Sequence, residues 1–427
     1  MAFQQPPKYV PEDILIDIFL RLQIKSIGVC RCVCRTWHHT IGSTCFLKRH
    51  LTLQKKASKR NNCILYRTDR LCTVLTGSQS MFDGTLNHSK FYNPCWILNR
   101  YNGTSYTGGP RIYGTCNGLL CLSAYHYNIR DHIYLWNPTC RKIKKLPKLD
   151  KCIKDEIGFT LKACVSFGFY DDDVRVIVIA PVGTAYFVCV YSLITNSWKY
   201  IRTSSWNLIR TNKLQYADDL DKYCRVKETK FVHGTVYMIE LDHVTCFDMR
   251  TQTIRVISFP NKFYLYNNHV TERSGKRTIV SLPGEFSDDN GFTCEAYGET
   301  IAIFGYGYLS SSLTMWILTD KTLFTEVWEV NKEHHYGSYY RPLGFLKNGQ
   351  YLISLTGIFM RSSKIFSCKL NNPKVRESTV VRGSINIVKG RINSGFVESL
   401  LLLDEDSLDT MDFFTIDGDR VYLNPDG

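Results

Sequence analysis

The sequence predicts a multidomain α+β chain: a small N-terminal three-helix unit followed by an all-β, propeller-like domain of about six blades. Three observations carry this. Apolar residues at helical spacing are concentrated in residues 10–51. Past Leu51, short runs rich in Val, Ile, Tyr, Phe and Trp alternate with Gly, Asn, Asp and Thr turn signals. A hairpin-like unit with aromatic strands recurs along the rest of the chain.

The first helix starts at Pro11, which suits an initial turn because its missing N–H is not needed there. Glu12 and Asp13 follow and oppose the positive helix end. Ile14, Leu15, Ile18, Phe19 and Leu22 then form a wide apolar stripe. A second segment runs from Ile24 through Ile27, Val29 and Val33 to Cys34, and a third starts near Arg35 with Trp37, Ile41, Phe46 and Leu47. Three short helices bury too little surface to be comfortable alone. An apolar face is expected to be left for a partner helix. Cys30, Cys34 and His38 share one helix face, with His39 and Cys45 nearby, but no C-x₂-C pair is present, so buried thiols are expected rather than zinc.

Residues 10–51 resemble the F-box. The matching anchors are Pro11-Glu12-Asp13, the Ile/Leu ladder, Arg21-Leu22, Lys25-Ser26, Cys32-Val33-Cys34, Trp37, Ile41 and Phe46. The resemblance implies docking to a Skp-type adaptor, and through it to a cullin and a RING subunit. By position, Pro11, Ile14, Leu15, Ile18, Leu22, Ile27, Val33 and Trp37 are the residues it implies for adaptor binding or its support. One departure stands out: Gln23 replaces the usual proline between the first two helices.

The domain boundaries read as residues 1–52 for the helices, 53–62 for a basic linker, 63–403 for the β-body and 404–427 for a C-terminal tail. In the body, Tyr134–Ile143, Tyr191–Ile201 and Cys246–Ile257 each read as an aromatic strand, a polar turn and a second strand, with weaker copies near Trp316 and Cys368. The steps are 191−136 = 55, 247−191 = 56, 316−247 = 69 and 368−316 = 52 residues. They suit four-stranded blades of about 40–50 residues with generous loops. A closed ring leaves only short, protected edges; a pair of β-sandwiches is the structural alternative.

The body resembles the plant F-box-associated, kelch-like domain. Cys116-Asn117-Gly118-Leu119-Leu120-Cys121-Leu122, Leu135-Trp136-Asn137-Pro138 with Leu146-Pro147, Ser166–Tyr170, Val190–Leu193 with Ser197-Trp198, Phe231–Gly234, Pro342–Phe345 and Val397–Leu400 follow the family's order. The double glycine of true kelch repeats is missing. Within that family, residues 113–200 and the ending Phe396 to Leu403 are similar to S-locus F-box proteins, which implies self-incompatibility in pollen and style ribonucleases as a target class.

Chemistry in the chain itself is not expected. No Walker, dinucleotide, zinc-protease or nucleophile-elbow motif occurs. Asp171-Asp172-Asp173 reads as a solvated hairpin tip, and Asp404, Glu405 and Asp406 as a solvated tail. No cofactor and no metal is expected. The 17 cysteines show no regular spacing, and no signal peptide or membrane helix is visible, so a reduced cytoplasmic or also nuclear protein is expected. A net charge of +14 favours acidic partners, although a nucleic-acid partner is not expected. Lys142, Lys144 and Lys145 in the densest basic run read as a solvated strand or an electrostatic contact surface. The resemblance implies the non-catalytic, substrate-recognition subunit of an SCF-type ubiquitin ligase. The alternative is a β-propeller carbohydrate-binding or enzymatic module with an incidental helical N-terminus.

Overall fold

A computed structural model of the chain describes residues 10–60, 62–67, 71–77, 87–92, 111–123, 133–140, 142–149, 164–182, 185–202, 226, 228–240, 243–260, 269–273, 276–280, 292–305, 312–320, 322–331, 338–345, 350–357, 364–369, 372–377, 391–394 and 397–403. Asp288-Asp289, Glu333-His334-His335 and the acidic tail lie outside them.

Four helices open the chain: α1 (Glu12–Arg21), α2 (Ile24–Arg31), α3 (Arg35–Gly42) and α4 (Thr44–Arg60). The expected third helix is therefore two. Ser43 separates them, and its hydroxyl accepts a hydrogen bond from the Phe46 N–H at 3.2 Å, which is N-cap geometry for α4. The expected linker 53–62 is also corrected, because α4 runs to Arg60. Gln, Lys, Ala and Arg are good helix formers, so a basic run next to a capped helix extends it rather than ending it.

Among the described residues, the β-body holds six four-stranded antiparallel sheets and one separate hairpin. Blade 1 combines Arg391–Ser394 with Asn62–Arg67, Leu71–Gly77 and Asn87–Tyr92. Blade 2 is Arg111–Cys116, Leu119–Ser123, Ile133–Asn137 and Lys142–Lys145. Blade 3 is Cys164–Tyr170, Asp173–Val182, Ala185–Ser192 and Ser197–Arg202. Blade 4 is Glu228–Val232, Thr235–Ile239, His243–Asp248 and Thr253–Ser258. The extra hairpin His269–Arg273 and Lys276–Val280 follows. Blade 5 is Phe292–Tyr297, Thr300–Gly305, Ser312–Thr319 and Leu323–Asn331, and blade 6 is Ser338–Phe345, Gln350–Gly357, Lys364–Lys369 and Asn372–Glu377. The first strands of blades 2 to 6 lie side by side in that order, and the first strand of blade 6 adjoins Arg391–Ser394 of blade 1. This is a propeller arrangement, with its first sheet completed by the last described strand.

The repeat seen in the sequence now has a place. Trp136, Tyr191, Phe247, Trp316 and Cys368 all fall in the third strand of their blades. The long step before Trp316 is the inserted hairpin between blades 4 and 5. The aromatics on the third strands of blades 2 to 5 are deeply buried. Tyr191 and Phe247 are 0% exposed and Trp316 is 1%. Turns between strands use left-handed backbone at Asn117-Gly118 (φ 50° and 83°) and His233-Gly234 (φ 45° and 79°), as tight hairpins require.

The Asp171-Asp172-Asp173 expectation needs correction. Asp171 and Asp172 are exposed with φ of 52° and 55°, as a hairpin tip demands. Asp173 is buried, accepts hydrogen bonds from the Ser192 hydroxyl and the Ile194 N–H, and has Arg175 Nε 3.3 Å away. The third acid is a structural anchor for the neighbouring hairpin rather than part of a solvated tip.

Candidate partner-docking surface

The helical unit has two faces. Its inner face packs Phe19, Leu20, Ile24, Ile27, Ile41 and Phe46 into one core, with Leu400 from the far end of the chain. Trp37 on α3 meets Phe19 on α1 edge to face at 4.9 Å between ring centres, a favourable aromatic geometry. The Arg49–Asp17 ion pair at 2.9 Å ties α4 to α1, but both side chains are more than half exposed, so it contributes little.

The outer face is apolar and without cover among the described residues. On α1 and the residue entering it, Val10, Ile14 and Ile18 recur every four residues and are 42%, 52% and 46% exposed. At the end of α2, Val29 and Val33 are 70% and 61% exposed. Fully burying one such side chain is worth about 1.5–3 kcal/mol, so half-exposed ones leave roughly half of that for a visiting surface.

The predicted adaptor residues divide accordingly. Pro11, Ile14, Ile18 and Val33 are exposed, while Leu15, Leu22 and Trp37 are half-buried between the two faces. Ile27 is 0% exposed within the inner core, which leaves it the supporting one of the two roles expected of it. Helical position alone did not separate it from the outer residues, because α2 is short and its apolar residues ring the axis. Val29 was missed. Its four-residue offset from Val33 was the available signal.

Lys142, Lys144 and Lys145 lie on the outermost strand of blade 2, with Ile143 turned inward at 2% exposure. Lysines on a sheet edge discourage pairing with another chain. On the first strands of blades 4 and 5, Glu228 accepts from the Cys294 N–H (2.9 Å) and the Thr293 hydroxyl (3.2 Å), and Lys230 reaches Glu295 at 3.2 Å. These acids, which the sequence did not single out, staple one blade to the next. Burial pushes the Cys116, Cys140 and Cys246 thiols up to about 12, so they remain neutral packing groups. Among the described residues no group of three or more His, Cys, Asp or Glu converges on a metal position, Cys30, Cys34 and His38 included.

Comparison with known proteins agrees with this division into helices and ring. Residues 10–49 match the F-box domain family, and residues 87–357, more than half of the chain, match the KIB1-4 beta-propeller family. Among relatives from Arabidopsis thaliana, the F-box/kelch-repeat protein At3g23880 is 27% identical, with 40% of this chain and 45% of that protein covered. The F-box protein CPR1 is 28% identical, with 45% of each covered. The putative F-box protein At1g47730 is 22% identical over 72% of this chain and 68% of its own length. The chain spans under half the length of the first two relatives. Among solved structures, an oligogalacturonate lyase in complex with manganese aligns at a TM-score of 0.34 with 10% identity over 74% of this chain and 75% of that one, too low to bear on function.

Proposed function

The chain belongs to the plant F-box proteins that carry a KIB1-4 β-propeller, and from that premise we propose that it is the substrate-recognition subunit of an SCF-type ubiquitin ligase. The helices hold a Skp-type adaptor, and the adaptor brings the cullin and the RING subunit. The propeller holds the target. The chain is non-catalytic: it turns a bimolecular lysine attack into a local one, and the conjugating enzyme performs the transfer. Its place of action is the cytoplasm, the nucleus or both.

The observation that carries this is the row Val10, Ile14 and Ile18, left open on a helix whose other face is sealed. A pull-down of the full-length chain with a Skp-type adaptor tests it. The wild type is expected to bind, and Ile14→Asp with Ile18→Asp to abolish binding without unfolding the helices. A wild-type chain that ignores the adaptor, where another F-box protein binds it, overturns the proposal.

For the target we propose a protein ligand held by the loops between strands. Style ribonucleases are the narrower candidate, supported only by the sequence resemblance across residues 113–200 and 396–403. Part of that resemblance falls on residues with internal duties, among them Asn117, Gly118, Asn137 and Ser399. Retention of the chain on immobilised style ribonuclease, but not on a ribonuclease from another source, would favour that target; equal or no retention would remove it.

A further inference from the structure

The last described segment of the chain, residues 397–403, belongs to no blade. It follows the strand Arg391–Ser394 and turns back between the propeller and the helices. Its side chains divide between the two units. Leu400 is 2% exposed inside the helical core with Phe19, Ile27 and Phe46. Leu402 is 5% exposed inside the core shared by blades 2 and 3, with Leu135, Val176 and Tyr191.

The backbone of the segment is read as closely as its side chains. Asn137, itself 0% exposed, donates from Nδ2 to the Ser399 carbonyl at 2.9 Å and to the Leu401 carbonyl at 2.8 Å. Its Oδ1 accepts from the Thr139 and Cys140 N–H groups at 3.0 and 3.3 Å, which fixes the orientation of the amide. Cys140 Sγ donates to the same Ser399 carbonyl at 3.3 Å. Gly118 leaves the room: a Cβ there would lie 2.4 Å from the Val397 carbonyl oxygen. Arg31, at the end of α2, donates to the Leu403 carbonyl at 2.7 Å. Leu402 has φ 69°, a left-handed conformation that leucine rarely adopts and that persists only where the surroundings impose it.

We infer that residues 397–403 are a clasp that completes the helical unit's core from the propeller side and makes adaptor docking depend on blades 2 and 3, which hold it. The helices cannot fill their own core, because Leu400 supplies part of it. The end of α2 is held by Arg31 on the clasp, and the same helix end displays Val29 and Val33. A propeller whose Asn137 turn does not form leaves the clasp unplaced, and the docking face loses its support. The adaptor part of this inference rests on the function proposed above; the structural part does not.

The test uses two full-length variants and two readouts. Asn137→Asp keeps the acceptor oxygen and the side-chain shape but removes both donors to the clasp carbonyls. Leu400→Ala opens a hole in the helical core from the clasp side. Hydrogen exchange is followed separately in α1 to α3 and in the central strands of blades 3 to 5. The expected result is about 10- to 100-fold faster exchange in the helices of Asn137→Asp, with those strands unchanged, and the same pattern or stronger in Leu400→Ala. Adaptor affinity falls with helix protection in both. Unchanged helix exchange in both variants overturns the clasp. So does equal loss in helices and strands, because it would make the segment an ordinary part of a single cooperative core. If the wild type does not bind the adaptor at all, the ligase function falls and the exchange pattern still decides the clasp.

Discussion

Replacing Gln23 by proline is expected to stabilise the helical unit, and the structure supplies the terms of the calculation. Gln23 caps α2 with φ −66° and ψ 148°. Proline fixes φ near −65°, so the folded backbone needs no adjustment. Proline also forces the preceding residue into extended conformations, and Leu22 already has φ −75° and ψ 156°. Gln23 is exposed, and its N–H donates to no partner among the described hydrogen bonds. The change therefore removes freedom from the unfolded chain and almost nothing from the folded one. The gain is about 0.4–1 kcal/mol. At RT of about 0.59 kcal/mol this corresponds to roughly 2- to 5-fold slower exchange of the amides of α1 and α2 that open with the unit. Native-state hydrogen exchange on the full-length protein reads it directly. Equal or faster exchange in Gln23→Pro would refute the reasoning, since it would mean that the loop between α1 and α2 does not hold this backbone in solution.

Further outcomes separate the two faces of the helices and the fit of the clasp. Ile27→Ala is expected to destabilise the helical unit by about 2–5 kcal/mol, because the side chain is 0% exposed; denaturant unfolding followed by helix signal measures it. Val29→Ala, at 70% exposure, is expected to leave that unfolding curve within about 0.5 kcal/mol of wild type while weakening adaptor binding in calorimetry. Gly118→Ala is expected to cost about 2 kcal/mol or more in thermal unfolding, because its φ is +83° and the new Cβ meets the Val397 carbonyl. His50 is 0% exposed, and burial lowers its pKa from 6.5 to about 4. The unfolded chain then binds a proton that the folded helix refuses. The contribution of His50 to stability is flat well above pH 6.5 and falls by about 3 kcal/mol as pH drops from 6.5 to 4. His50→Gln is expected to flatten that slope in unfolding curves taken across the interval.

Features that repeat or that depend on neighbouring residues were legible in the sequence. The aromatic third strands announced themselves because each is followed by a tight polar turn, and burial on both sides leaves little choice of side chain. The start of α1 was readable from Pro11, Glu12 and Asp13, whose effects act within one turn. The break at Ser43 was not, because a serine inside an apolar helical pattern caps a helix only if the chain bends there. Nor was the burial of Ile27 or of Asp173. Each depends on what packs against it from elsewhere in the chain. Asn137 is the clearest case: "WNP" reads as a hairpin turn, and half of the amide does serve that turn. The other half serves Ser399, 262 residues away, and no local pattern reports a partner at that distance.

The pairing of Arg391–Ser394 with Asn62–Arg67 has a consequence for how the protein is made. A ribosome delivers residue 62 long before residue 391. Until the later strand emerges, the strand at 62–67 exposes one full row of backbone donors and acceptors. A nascent chain in that state carries an open edge that can pair with a neighbouring chain. Contacts between strands so far apart in sequence are also slow to form, so completion of this first sheet comes late in folding.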